Sequence, residues 1–407
     1  MTEIEIKTYD LALQTPYRWS KGTQHSRKGL ILRLEAAGAV GWGEAALPPH
    51  VDYPVREFAA ECRSLMAGLD PLADDFLHEL DLRECPARIR CGISTAVLSL
   101  RAAQAGLPLA AYLMDGQGRP PGMERPPRSL CSLSTSRPAC RSDSPGTAQS
   151  AGTEPCPGSS PEGAIRSLGR PGGPDTVPVN DLIGDADPRQ CAQRAVAAVS
   201  GGMSTVKVKC TPERELDLRR IAAIREAAPD VKIRLDPNES WPLEWAAEQL
   251  RAMERFRIEY CEEPLPRGTP LADYGRLRKQ TAVPITLDDS IRTLRDVELA
   301  AHYGAADVLI LKAQRIGGPD RLLAIVRQAA GFGLACTVTS SLESSVGLYL
   351  GIHCAAMTAE PVAPAGIGTA RYFAENVGQP PAIEHGRMQV PQTPGLGFDP
   401  EDWWSRA

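Results

Sequence analysis

Polar residues punctuate the second half of the chain at a nearly constant interval. From Val177 onward short apolar runs end in a polar residue or glycine: VPVNDLIG, STVKVKC, VKIRLDPNES, IEYCEEPLP, PITLDDS, DVLILKAQ, ACTVTSS and VAPAGIGTA. The positions Asn180, Lys209, Asp236, Glu262, Asp288, Lys312, Thr339 and Gly366 follow one another at 29, 27, 26, 26, 24, 27 and 27 residues. An interval of about 26 accommodates one strand, one helix and two short loops. Eight such units predict an α/β chain whose residues 176–378 form a parallel barrel of the TIM type, its last helix missing or replaced. The alternative is an open doubly wound sheet. No glycine-rich phosphate loop follows any of the runs, and eight even units suit closure.

The first 115 residues have a different texture. GLILRLEAAGAVGWGEA alternates and turns at AAGA, which predicts a hairpin. VREFAAECRSLMAGL and ISTAVLSLRAAQAGLPLAAYL carry helical patterns, so this part is an α+β module. Residues 116–175 are dense in Pro, Gly, Ser and Arg without apolar periodicity. Such a segment cannot bury enough surface to offset its ordering entropy, and the composition predicts a disordered insert rather than a functional tail.

Composition narrows the function classes. The 407 residues are 43% hydrophobic and 23% charged, with a net charge of −5. A mildly acidic balance gives no electrostatic reason to expect nucleic acid or an anionic membrane as partner. No apolar run approaches a membrane span, and the N-terminus lacks the basic start and apolar core of a signal peptide. Eleven cysteines without CxxC spacing fit the reduced thiols of a cytoplasm, and the six histidines are scattered.

Candidate chemistry sits at the strand ends, which converge on one mouth in such barrels. The third, fourth and fifth units end in Asp236, Glu262 and Asp288. One such carboxylate alone reads as a solvated strand end or a helix N-cap. Three at matched spacing repel unless a cation lies among them, and all-oxygen ligation favours Mg²⁺, with Mn²⁺ as substitute. In TVKVKC, Lys207 and Lys209 point to one face about 7 Å apart. Taken alone, KxK reads as a surface strand with snorkelling lysines. Beside the carboxylates, and opposite Lys312, a different reading holds. A neighbouring ammonium and a dication favour the neutral form of Lys209, making it a base near neutral pH. Base, dication and opposing lysine suit removal of a proton α to a carboxylate, with an enediolate to be stabilised. After the seventh run, Ser340 and Ser341 open a helix. Its N-terminal amides suit a second carboxylate, and the two serines read equally well as N-caps.

These residues resemble the enolase superfamily, muconate-lactonizing subgroup. KxK at Lys207 and Lys209, DxN at Asp236 and Asn238, EEP at Glu262–Pro264, LDD at Asp288 and then Lys312 match in order. The resemblance covers the chain apart from 116–175. It implies a (β/α)7β TIM-type barrel under an N-terminal α+β capping domain (1–115), with residues 379–407 returning to the cap. It makes Asp236, Glu262 and Asp288 the Mg²⁺ ligands, Lys209 the base and Lys312 the opposing cation. Within the subgroup VPVNDLIG, RLDPN, TSSLESSVGL and GIGTARYF are similar to the o-succinylbenzoate synthases. That similarity implies dehydration of a hydroxycyclohexadiene carboxylate in menaquinone synthesis, so the expected partner is a small carboxylate. Lys207, Arg234, Asn238 and Asp289 are then supporting or substrate-binding residues, with cap-loop contacts from Tyr17–Thr23 and Arg27. Two departures stand out: Asp289 occupies a position where the family usually has Glu, and the insert replaces a short link. Isomerases of the same subgroup (N-succinylamino-acid racemases, dipeptide epimerases, cycloisomerases) use the same lysines. A dipeptide epimerase would carry an acidic pair on the eighth strand, which GIGTARYF lacks. A non-catalytic metal-binding barrel is the third reading.

Overall fold

The computed structural model describes residues 4–19, 22–48, 53–116, 174–184, 187–358 and 362–407, with the side chains of 15–22 undescribed. The expected disordered insert therefore lies almost entirely outside the described residues.

The N-terminal part is a three-stranded antiparallel sheet, β1 (Glu5–Trp19), β2 (Gly22–Ala36) and β3 (Ala39–Ala46), in sequence order. The predicted hairpin is β2–β3. Its turn residues Ala37 and Gly38 both have positive φ, 51° and 76°, which suits the twist of a two-residue hairpin. Helices α1 (Val55–Met66), α2 (Phe76–Leu82), α3 (Ala87–Gln104) and α4 (Leu109–Met114) follow. The second helical pattern breaks in two, because Gly106 takes a φ of 70° and Pro108 cannot continue a helix. Helix α3 lies directly on β3. A Cβ on Gly43 would stand 1.9 Å from Gly92 O, so only glycine permits this approach. Leu30, Ile31, Leu32 and Leu34 of β2 are fully buried, which marks a central strand covered on both faces.

Among the described residues, seven strands make one parallel sheet in chain order: β5 (Asp181–Ile183), β6 (Thr205–Lys209), β7 (Lys232–Asp236), β8 (Ile258–Glu262), β9 (Ile285–Leu287), β10 (Val308–Leu311) and β11 (Ala335–Val338). Helices alternate with them, as the 26-residue interval predicts. The sheet curls until the segment after β11 meets both edges. Asn180 N donates to Ala365 O at 3.1 Å on one side, and Ser340 N donates to Gly366 O at 3.0 Å on the other. The first predicted strand is interrupted. Its start, β4 (Thr176–Pro178), pairs antiparallel with β12 (Arg387–Gln389), and only β5 joins β6. Beyond β12 the chain reaches the N-terminal part: Leu109 N donates to Gly395 O at 2.8 Å, and Trp404 packs edge-on against Trp42 with centroids 5.3 Å apart. Among the described residues no helix is long and apolar enough to cross a membrane.

Candidate active site

The C-terminal ends of these strands surround a cleft of about 110 Å³ whose wall includes Lys207, Lys209, Asp236, Asn238, Asp288 and Lys312. The two neighbouring lysines are tolerated because each has a carboxylate. Lys207 Nζ lies 2.8 Å from Asp236 Oδ2 and 2.7 Å from both oxygens of Glu262. Lys209 Nζ donates to the same Asp236 Oδ2 at 2.5 Å. Across the cleft Lys312 donates to Asp288 Oδ2, and Arg315 donates to Asp288 Oδ1 at 2.8 Å.

Burial and charge compete at each of these groups. Burial raises the Asp236 carboxyl, but Lys207 and Lys209 outweigh it and hold the group well below the usual carboxylate range. At Asp288 burial is likewise overcome, here by Arg315, Lys312 and Lys207. Glu262 goes the other way: burial pushes it up, with Lys207 opposing and the neighbouring Asp236 and Asp288 adding to the rise. Burial favours the neutral form of Lys207, yet Asp236, Glu262 and Asp288 raise it well above its ordinary value. Lys207 is therefore a fixed cation.

The backbone around the cluster is built to hold it. Asp236 Oδ1 accepts from Asn238 N at 2.9 Å. Asn238, Glu239 and Glu263 adopt φ of 54°, 59° and 38°, a left-handed conformation that costs about 1–3 kcal/mol in a non-glycine residue and collects at functional clefts. The second glutamate of EEP serves the third carboxylate. Glu263 Oε2 accepts from Asp288 N at 2.5 Å, and its Oε1 accepts from the Ser290 hydroxyl and from Tyr274 OH at 3.1 Å. Burial pushes Glu263 up to about 7. Asp289 lies 2.5 Å from Arg315 Nη2 and 3.5 Å from Arg267, so the shorter acid still finds a guanidinium.

The donor set suits a hard divalent cation, being all oxygen and strongly anionic. Asp236 and Glu262 already touch one shared cation, the Lys207 ammonium. Asp288 instead faces Lys312 and Arg315. Among the described residues no three Asp, Glu, His or Cys stand together at metal-ligand spacing. The fit to a divalent cation is thus one of chemistry for all three carboxylates and of position for the pair Asp236–Glu262.

The remaining candidates separate. Arg234 is buried behind the cleft, donating to Glu259 at 2.5 Å, Asn180 Oδ1 at 3.2 Å and Pro364 O at 2.6 Å. Ser340 lines the cleft with its Oγ 3.0 Å from Thr369 Oγ1. At the serine-rich turn, where an anion site was expected, four amides already have acceptors within the protein. Ser344 N and Gly347 N donate to the Glu44 carboxylate of β3 at 2.9 and 2.7 Å. Ser345 N donates to Asn376, and Ser341 N to Glu343. The N-terminal sheet thus supplies a carboxylate of its own to the Ser344 and Gly347 amides. Arg27 is buried and stands outside the cleft wall; its Nε donates to Leu342 O at 2.9 Å and its Nη1 to Leu47 O. The Tyr17–Gly22 side chains of the expected cap-loop contacts lie outside the described residues, and Thr23 is exposed.

Three contributors escaped the sequence reading. Arg315 had a signal, standing one helical turn after Lys312. Arg371 lines the cleft from within GIGTARYF. Glu44 had no local signal at all, since its partners lie about 300 residues away.

The family model described as enolase C-terminal domain-like matches residues 190–403, more than half of the chain. The chain belongs to this family. The resemblance carried by KxK, DxN, EEP and LDD is thereby borne out at the level of the enolase superfamily. This enolase-family chain is 34% identical over 244 residues to the o-succinylbenzoate synthase of Thermobifida fusca (strain YX), covering 57% of this chain and 74% of the relative. It matches the dipeptide epimerase from Enterococcus faecalis V583, solved with Mg and the dipeptide L-Leu-L-Tyr, at a TM-score of 0.76 and 21% identity, covering 97% and 98% of the two chains. It matches the N-succinyl Arg/Lys racemase from Bacillus cereus ATCC 14579 at 0.77 and 20%, covering 99% and 96%. At these identities the two structures speak for a common fold and leave the reaction open.

Proposed function

We propose that this enolase-family protein is a Mg²⁺-dependent lyase that dehydrates a hydroxycyclohexadiene carboxylate to o-succinylbenzoate, a step of menaquinone synthesis. The proposed frame is a (β/α)7β barrel of residues 176–378 under an α+β cap of residues 1–115, with 379–407 returning to the cap. The double bridging of Ala365–Gly366 supports the barrel, and the contacts of Gly395 and Trp404 support the return. The observation that carries the reaction is the placement of Lys209 and Lys312 on opposite flanks of one cleft, each against a carboxylate.

Asp236, Glu262 and Asp288 are the residues to hold Mg²⁺, which when bound supplies positive charge to the substrate carboxylate. Lys209 Nζ takes the α-proton and returns it to the hydroxyl that departs on the same face, so one water is released. The Lys312 ammonium holds the negative charge that develops on the substrate. Lys207 stays charged and keeps Glu262 and Asp236 in place.

The 34% identity to an o-succinylbenzoate synthase favours dehydration. A second reading, racemisation of an N-succinylamino acid, is favoured by the same opposed lysines, since removal on one face and return on the other needs two. Incubation with the cyclohexadiene substrate beside an N-succinylamino acid, with product analysis by NMR, separates them. Formation of o-succinylbenzoate at a rate well above racemisation is expected; racemisation alone overturns the lyase reading.

A further inference from the structure

One more cation lines the cleft, on the wall across from the metal-ligand candidates. The segment after β11 bridges the first and seventh strands, whereas Asp236, Glu262 and Asp288 stand on the third to fifth units. Arg371 lies in the short turn Ala370–Tyr372 that this segment leads into, and its side chain is 37% exposed. Its Nη2 donates to Asp181 and, at 3.2 Å, to Tyr372 OH. Asp181 is buried and does not line the cleft, so it holds the guanidinium from behind. Among the described residues the Nε and Nη1 of Arg371 have no hydrogen-bond partner, while Lys207, Lys209 and Lys312 each meet a carboxylate. On the same wall Thr339 Oγ1 is buried and has no partner among the described residues.

A rigid fork of donors, anchored at one corner and open at the others, is suited to a planar carboxylate. We propose that Arg371, oriented by Asp181, recognises a second carboxylate at the end of the substrate remote from the reacting carbon. The substrate class is then a dicarboxylate that spans the cleft. This rests on the reading above, in which the reacting carboxylate sits at the Asp236–Glu262–Asp288 end.

The test is calorimetric titration of the full chain in Mg²⁺ with N-succinyl-L-phenylalanine and with N-butanoyl-L-phenylalanine, in which a methyl replaces the remote carboxylate. Losing a charge-assisted pair should make the parent protein prefer the succinyl compound by about 10- to 100-fold. In Arg371→Met the preference should fall to near one, with the butanoyl compound bound as by the parent. Arg371→Lys and Asp181→Asn, which disturb the wall less and serve if the methionine variant does not fold, should each retain only part of it. No preference in the parent, or a parental preference in the variants, overturns the proposal. Because the titration reads binding, absence of Mg²⁺-dependent α-proton exchange would sink the proposed reaction without altering this ratio.

Discussion

Replacing Lys207 with methionine removes an ammonium that two buried carboxylates share. The Lys207 side chain is 11% exposed, and those of Asp236 and Glu262 only 3% and 2%. Like-charge crowding with Lys209 would by itself make the loss neutral or stabilising. The pairing argues the reverse, since removing one partner of a buried pair strands a charge at a cost of about 3–5 kcal/mol. Asp236 keeps Lys209, so the penalty falls on Glu262. Burial already raises that carboxyl and Lys207 opposes the rise, so the variant lifts it further. A carboxyl raised in the folded state contributes stability that is present below its unfolded value and is lost as pH rises through the folded value. The difference between parent and variant must therefore grow with pH. Urea unfolding in EDTA should show the variant about 3 kcal/mol less stable at alkaline pH, with a smaller gap in mild acid. Stabilities within about 0.5 kcal/mol of each other at alkaline pH, the range of an inert substitution, would refute the pairing argument.

Other outcomes follow from the same geometry. Ala substitution at Asp236, Glu262 or Asp288 should weaken Mg²⁺ binding by calorimetry, and parental affinity in all three variants would contradict the ligand assignment. Glu44→Ala should cost about 2–6 kcal/mol in urea unfolding, because it orphans the buried amides of Ser344 and Gly347; parental stability would show that those amides find other acceptors. His353 is buried with Nδ1 accepting from Ala110 N and Nε2 donating to Leu396 O, and burial lowers its pKa to about 4. The unfolded chain then binds more protons below about pH 6.5, so stability should drop by about 3 kcal/mol between there and pH 4. In His353→Gln that component of the slope should vanish, and an unchanged slope would assign it elsewhere.

Much of the site was legible because strand ends advertise themselves. An apolar run closing on Asp236, Glu262 or Asp288 marks the end of a strand, and Asp236 and Asp288 also line the cleft. The interval between such ends revealed the repeating unit before any packing was known. Pairing was less legible. The spacing of Lys207 and Lys209 shows that they share a face, while which acid each one meets depends on the register of β6 against β7 and β8. Glu44 was invisible for a different reason: it caps the helix Ser345–Ala356 from the other part of the chain, and no local pattern encodes a partner that distant. The breaks at Asn180 and at Gly106–Pro108 lie between. The second has a Gly-Leu-Pro signal that the apolar run masks, and the first reflects pairing with the distant Arg387–Gln389.

The central claim is that Lys209 moves a proton α to a carboxylate in a Mg²⁺-dependent way. It is tested most directly by following α-hydrogen exchange of an N-succinylamino acid and of the cyclohexadiene substrate in D₂O by NMR, with parent protein and Lys209→Ala, in Mg²⁺ and in EDTA. The account predicts deuterium incorporation or elimination by the parent in Mg²⁺ alone, and a loss of several orders of magnitude in Lys209→Ala despite retained Mg²⁺ binding. Near-parental rates in Lys209→Ala, or rates indifferent to EDTA, would contradict it.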